Sequence, residues 1–302
     1  QLDTIPAESD EESDAADPLS FDDSDAPGAV DSFDTVPAPV APGSTTSPTT
    51  SDAEPGSTTE STSRITAPAT TSTTISTQPT VDSDGFLPPG SALPTDDACR
   101  AQVQSAPEVR AANVQSNSRA GGPTLSGAEF GRVTGNMTGT TDEIIQWAAC
   151  KWGLPADIVR AQAATETWWR QGFLGDWTET AADCAPGHSL GSDGKANECP
   201  QSIGILQIKY KFFKDAFPGA SESTAYSLDY AYAVWRNCYE GRQTWLNDSE
   251  RGREYAAGDG WGCIGRWYAG EWYTPRASNY ISEVERRLTT RVWATSEFLS
   301  EG

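Results

Sequence analysis

Histidine and methionine occur once each in this 302-residue chain, as His188 and Met137. With a single imidazole and no CxxC spacing among the cysteines, the ligands of a zinc centre are missing, and no metal or other cofactor is expected. No apolar run reaches the ~18 residues that a membrane-crossing helix needs. A GxSxG elbow is also absent, so a Ser-His-Asp triad built on His188 has no nucleophile. Gly191-Ser192-Asp193-Gly194 lacks the regularly offset acidic ligands of a calcium loop. Basic residues are scarce. The first 95 positions hold only Arg64 against seventeen Asp or Glu, a net charge of −16 out of −22 for the chain. A balance this acidic argues against nucleic acid as a partner.

What residues 1–95 do contain is Ser, Thr, Pro, Ala and Asp, in runs such as Ser44-Thr45-Thr46-Ser47-Pro48-Thr49-Thr50. Such a segment cannot bury enough apolar surface to offset the entropy of ordering it. It is therefore expected to be a disordered acidic stalk or linker, with an acidic interaction tail as the alternative. All eleven Trp and all six Cys lie beyond it. The remaining ~205 residues suit one globular domain. Residues 96–139 are weakly patterned and are expected to wrap that domain, pinned by Cys99, with a short helix over 108–114. Residues 140–302 are expected to form its main body. The start at Gln1, with neither Met nor apolar leader, reads as a mature secreted chain. Localisation is accordingly expected to be extracellular or in the cell envelope, as a monomer.

Six cysteines, Cys99, Cys150, Cys184, Cys199, Cys238 and Cys263, allow 15 pairings. Proximity and order favour Cys99–Cys150, Cys184–Cys199 and Cys238–Cys263, formed in an oxidising compartment.

Helical periodicity becomes clear from Thr140. Thr140-Thr141-Asp142-Glu143 has the form of a capping box, followed by Ile144, Ile145, Ala148 and Ala149. Gly153 ends that helix, and Pro155 opens a second, which runs through Ile158, Val159, Gln162 and Ala163 to Glu166. Residues 171–201 read as a long disulfide-tied loop, and 204–210 as a short strand or a helix start. A helix is expected over 221–238, with Tyr226, Tyr230 and Val234 four apart. Gly258 to Gly265 reads as a turn-rich connector, and a last helix is expected over 277–299. The domain is expected to be mainly α.

Within this frame Glu166 stands out. Ala161-Gln162-Ala163-Ala164-Thr165-Glu166-Thr167-Trp168-Trp169 sets one carboxyl near a helix C-terminus, against two tryptophans. Apolar surroundings and the negative end of the helix dipole both oppose ionisation. A carboxyl that keeps its proton near neutral pH can serve as a general acid, as glycosidic cleavage requires. A surface glutamate on an alanine-rich helix would look the same in isolation.

The order of motifs supplies more. Glu166 in an A-x-x-E-T-x-W setting is followed by Ser202-Ile203-Gly204-Ile205-Leu206-Gln207, then Trp267-Tyr268-Ala269-Gly270, then Asn279-Tyr280-Ile281-Ser282-Glu283-Val284. Over roughly residues 141–290 this resembles the lysozyme-like superfamily, and within it the soluble lytic transglycosylases and goose-type lysozymes. The resemblance implies that Glu166 is the general acid, that Ser202, Gly204 and Gln207 line a saccharide cleft, and that Tyr280 supports the acid. Two departures are visible. Tyr268 replaces the Asn of the transglycosylase Tyr-Asn-Ala-Gly segment, and the Asp that follows the Gln motif in goose-type enzymes is missing. Asp176 is then the candidate second carboxylate, and Trp168 and Tyr268 are candidate sugar-stacking faces. The implied substrate is a β-1,4-linked N-acetylated polysaccharide, peptidoglycan first and chitin second. A non-catalytic glycan-binding module is the alternative.

Overall fold

The computed structural model describes residues 81–248 and 254–301. The disorder expected for the acidic stalk falls, up to residue 80, outside the described residues. The stalk boundary at residue 95 needs correction, because the folded part is already under way by residue 82. Phe86 is buried, its ring 5.3 Å from that of Trp235 and 5.7 Å from that of Tyr239. The buried Arg236 donates to the carbonyls of Leu87 (2.7 Å) and Pro88 (2.9 Å) and pairs with Glu240. Composition hid this anchor because two apolar side chains, Phe86 and Leu87, were averaged with the acidic run before them.

The wrap from residue 96 begins with helix α1 (Asp96–Arg100), capped by the Thr95 hydroxyl. A 3-10 turn (Ala111–Asn113) leads into α2 (Val114–Asn117) in place of the single helix expected over 108–114. Helix α3 (Thr141–Trp152) starts on the expected capping box, with Thr140 and Glu143 bonded reciprocally, and stops at Gly153 in the left-handed region. Pro155 is the N-cap of α4 (Ala156–Thr167).

Residues 171–201 depart from the expected loop. Strand β1 (Leu174–Thr178) pairs antiparallel with β2 (Cys199–Ile203), which pairs with β3 (Ile208–Lys209). All five residues of β2 are buried and one is Pro200, so the alternation that marks a half-buried strand is absent. The segment between β1 and β2 is closed by Cys184–Cys199.

Helix α5 (Gly219–Glu222) precedes the central α6 (Thr224–Tyr239), which is buried nearly all round and packs on α3, α5 and α7 (Gly260–Ala269). The expected turn-rich connector is in fact α7 itself. Its glycines mark close packing: a Cβ at Gly260 would come within 2.6 Å of Phe86, at Gly262 within 2.2 Å of Trp272, and at Gly265 within 2.8 Å of Ile281. Helix α8 (Pro275–Thr290) packs on α4 and α7. It ends at Arg291 (φ 47°), short of the expected 299. A 3-10 turn then leads to α9 (Ser296–Ser300), capped by Thr295.

All three expected disulfides form: Cys99–Cys150, Cys184–Cys199 and Cys238–Cys263. The buried Asp229 of α6 is fully satisfied. It accepts from the backbone of Thr134 and Gly135, from Lys151 Nζ and from Trp152 Nε1, and so fixes the wrap to α3. A buried charge is tolerated when it is paired in this way. The described residues form a mainly helical fold with a small sheet and three disulfides, and no described helix is long and apolar enough to cross a membrane.

Candidate active site

Glu166 is the penultimate residue of α4, followed closely by the left-handed cap at Trp168. The helix axis therefore directs its partial negative end at the carboxyl, as the sequence suggested. The residue is half-buried. Helices α7 and α8 and the end of the sheet bring its neighbours together.

Tyr280, buried on α8, donates its hydroxyl to Glu166 Oε1. Gln162 lies one turn earlier on α4, on the same face as Glu166. Its Oε1 accepts from the buried Tyr232 hydroxyl of α6 at 2.9 Å, and its side chain acts on Tyr280, offsetting part of the rise that burial gives that hydroxyl's pKa. Tyr232, Gln162 and Tyr280 thus cluster behind the carboxyl, and Tyr280 is the member that donates to it. The Trp267 indole donates to the Leu206 carbonyl at 3.1 Å and also faces Glu166.

Burial is the largest influence on the carboxyl and lifts its pKa from 4.5 to about 8. The Tyr280 hydrogen bond acts the other way, the charge of Asp176 adds to the rise, and Trp267 opposes it. Desolvation wins because a few donors replace only part of the hydration that a carboxylate loses.

Asp176, on β1, is exposed, and its charge acts on Glu166. Its backbone is left-handed (φ 47°), within a strand whose neighbouring residues Gly175 and Trp177 pair with Ser202 and Pro200. Asp176 Oδ2 accepts the buried Ser202 hydroxyl at 2.6 Å and faces Lys209 Nζ at 3.4 Å. Ser202 thus joins the site as the support of the second carboxylate.

Four other expected residues sit differently. Tyr268 lies parallel on Tyr280 (centroids 4.7 Å apart, 4° between planes), with the Arg276 guanidinium over it at 4.8 Å. It therefore braces the tyrosine that holds Glu166. Trp168 packs against Phe298 of α9 (5.1 Å), with Arg287 over its ring at 4.7 Å. Gly204 (φ 93°) is buried, and a Cβ there would come within 2.8 Å of Ser227 Oγ and 3.0 Å of the Ala220 carbonyl. Gln207 ties down the turn between β2 and β3 by donating to the carbonyls of Phe173 (3.2 Å) and Gly204 (3.0 Å). A side chain at Gly175 would collide with its amide. Gly204 and Gln207 thus shape the floor under the sheet.

Gln162 and Tyr232 were not singled out from sequence. Only the four-residue spacing of Gln162 from Glu166 pointed to the first, and nothing local pointed to the second. His188 pairs with Asp193 (3.0 Å), while the Ser192 hydroxyl also bonds Asp193 and not the imidazole. That order gives no base-activated nucleophile. Among the described residues no group of three His, Cys, Asp or Glu is placed to hold a metal ion.

The class defined by these observations is a mainly helical, disulfide-stapled protein with, at a helix end, a carboxyl whose pKa burial raises. Comparison with protein-family models, with curated proteins and with solved structures gave no match.

Proposed function

We propose that this chain is a secreted glycan-cleaving enzyme of the lysozyme or lytic transglycosylase type. It acts on β-1,4-linked N-acetylated polysaccharide, peptidoglycan ahead of chitin, with Glu166 as general acid. The observation that carries this reading is the half-buried Glu166 carboxyl, whose pKa is raised to about 8 and which is held by Tyr280. Near pH 7 such a group is mostly protonated, yet its pKa stays close enough to the working pH for efficient proton transfer.

Glu166 gives its proton to the glycosidic oxygen as the bond to the anomeric carbon breaks. In the hydrolytic route a water attacks that carbon and Asp176 takes its proton. The Ser202 and Lys209 contacts both use Asp176 Oδ2, which leaves Oδ1 to hold the water. In the lytic route the 6-hydroxyl of the same sugar attacks, and the ionised Glu166 recovers the proton. The partially free Asp176 favours hydrolysis, and the two routes differ by one water in product mass.

The test is Glu166→Gln on purified cell-wall glycan, with mass spectrometry of the products. Loss of cleavage by on the order of a hundred-fold or more is expected, since general acid catalysis alone supplies about that much. Digestion at the parent rate would end the proposal.

A further inference from the structure

Arg266 of α7 is only 8% exposed, and its Nε–H is buried without an acceptor. Among the described residues no carboxylate reaches its guanidinium, and the groups that act on it electrostatically are the hydroxyls of Tyr255 and Tyr230. Arg236, Lys151 and Arg287, buried to a similar degree, pair with Glu240, Asp229 and Glu283, and Arg110, which has no carboxylate partner among the described residues, donates to the carbonyls of Trp168 and Val109. A guanidinium carries five donors, and leaving even one of them, here the Nε–H, buried without an acceptor is costly. Trp245, 40% exposed, lies 5.3 Å from the cation and forms the outer wall of its surroundings. An aromatic face attracts the charge but accepts none of the N–H groups in their plane.

Arg266 also lies close to the candidate active site along the chain, one residue ahead of Trp267 on α7. Tyr230 meets Phe213 edge-on at 5.8 Å, and Phe213 lies parallel to Trp267 at 5.8 Å. The Trp267 indole in turn faces Glu166. A saccharide bound at Glu166 and Trp267 would bring its substituents toward this end of α7, where Arg266 immediately precedes Trp267.

We propose that Arg266 receives a carboxylate of the substrate, so that the enzyme prefers a glycan bearing acid groups, such as lactyl or peptide carboxylates, over a neutral one. This deepens the proposed function and rests on it for the identity of the ligand as a glycan. A planar guanidinium suits a carboxylate because two parallel N–H groups can meet its two oxygens. Burial pushes the Arg266 pKa down to about 10, which leaves the cation intact at neutral pH.

The test uses the full chain carrying Glu166→Gln, so that ligands survive, and measures calorimetric binding of an N-acetylmuramic-acid-containing oligosaccharide against its methyl ester. Binding of the free acid is expected to be about ten- to a hundred-fold tighter, the range of a hydrogen-bonded charge pair. Adding Arg266→Met should erase that ratio, and Arg266→Lys should keep part of it. In the otherwise unaltered enzyme, Arg266→Met should raise KM on acid-bearing glycan strands with kcat retained, and leave cleavage of neutral chitooligosaccharide unchanged. Equal binding of acid and ester by the Glu166→Gln chain overturns the proposal without any Arg266 variant, as does discrimination that survives Arg266→Met. Cleavage of wall glycan by Glu166→Gln at the parent rate would instead refute the general-acid reading, while the acid-to-ester ratio still reports on Arg266.

Discussion

Replacing Glu166 with glutamine turns the protonation of one side chain into a change in melting temperature. The carboxyl titrates near 4.5 when the chain is unfolded and near 8 when it is folded. Between those values the native state holds a proton that the unfolded state has released, so stability falls as pH rises. The stabilising contribution is complete below pH 4.5 and is lost as pH climbs through 8. Linkage puts the loss at under about 1 kcal/mol at pH 5 and up to about 3 kcal/mol at pH 7. Glutamine resembles the neutral acid and still offers an oxygen to Tyr280, so it should escape the loss. Thermal unfolding followed by near-ultraviolet circular dichroism, at fixed salt and with disulfides intact, should show the parent and Glu166→Gln melting together near pH 5. At pH 7 the variant should melt higher by up to about 6–12 °C, for a domain in which 1 kcal/mol shifts the midpoint by about 2–4 °C. Parallel curves across pH 5–8, or a variant less stable at pH 7, would refute the claim that desolvation controls this carboxyl.

Two substitutions should move the pH–rate profile in opposite directions. Activity falls as Glu166 loses its proton, so Asp176→Asn, which removes a charge that raises the Glu166 pKa, should shift the alkaline limb to lower pH. Tyr280→Phe, which removes a bond that stabilises the carboxylate, should shift it to higher pH; equal limbs in both would show that neither group acts on Glu166. Residues 1–80 hold fifteen acidic residues against one arginine, a net −14, and should repel an anionic wall at low salt. Activity should therefore rise with ionic strength toward ~0.1 M, where screening acts over about 10 Å, and deleting 1–80 should flatten the rise. Deletion through residue 95 removes Phe86 from the core as well, and should cost at least the 3–5 kcal/mol typical of a buried Phe→Ala change, read as a lowered denaturation midpoint.

Local chemistry was legible in the sequence where it was also decisive. The Thr140–Glu143 capping box and the cysteine pairing by proximity appear in the structure as read, and Pro155, read as the first residue of its helix, sits one position earlier as the N-cap of α4. The glycines of α7 misled because glycine looks the same whether it allows a turn or lets Phe86, Trp272 and Ile281 press against a helix. The sheet was hidden because β2 is buried on both faces and so carries no alternation. At the candidate site, Glu166 and its position at a helix end were readable from nine consecutive residues. The Tyr232–Gln162 bond spans seventy positions, and the pairing of Asp176 with Ser202 needs a strand register that no local pattern encodes.

The way the chain enters its folded part has a mechanical consequence. Tension on the polypeptide ahead of residue 81 is passed to the central helix α6 through Arg236, which grips the carbonyls of Leu87 and Pro88. If that grip slips, the chain can peel only as far as Cys99, where a covalent bond to Cys150 halts it. A pull on the acidic residues ahead of residue 81 is thus borne first by α6 and then by α3, and is not applied directly to α4, which carries Glu166.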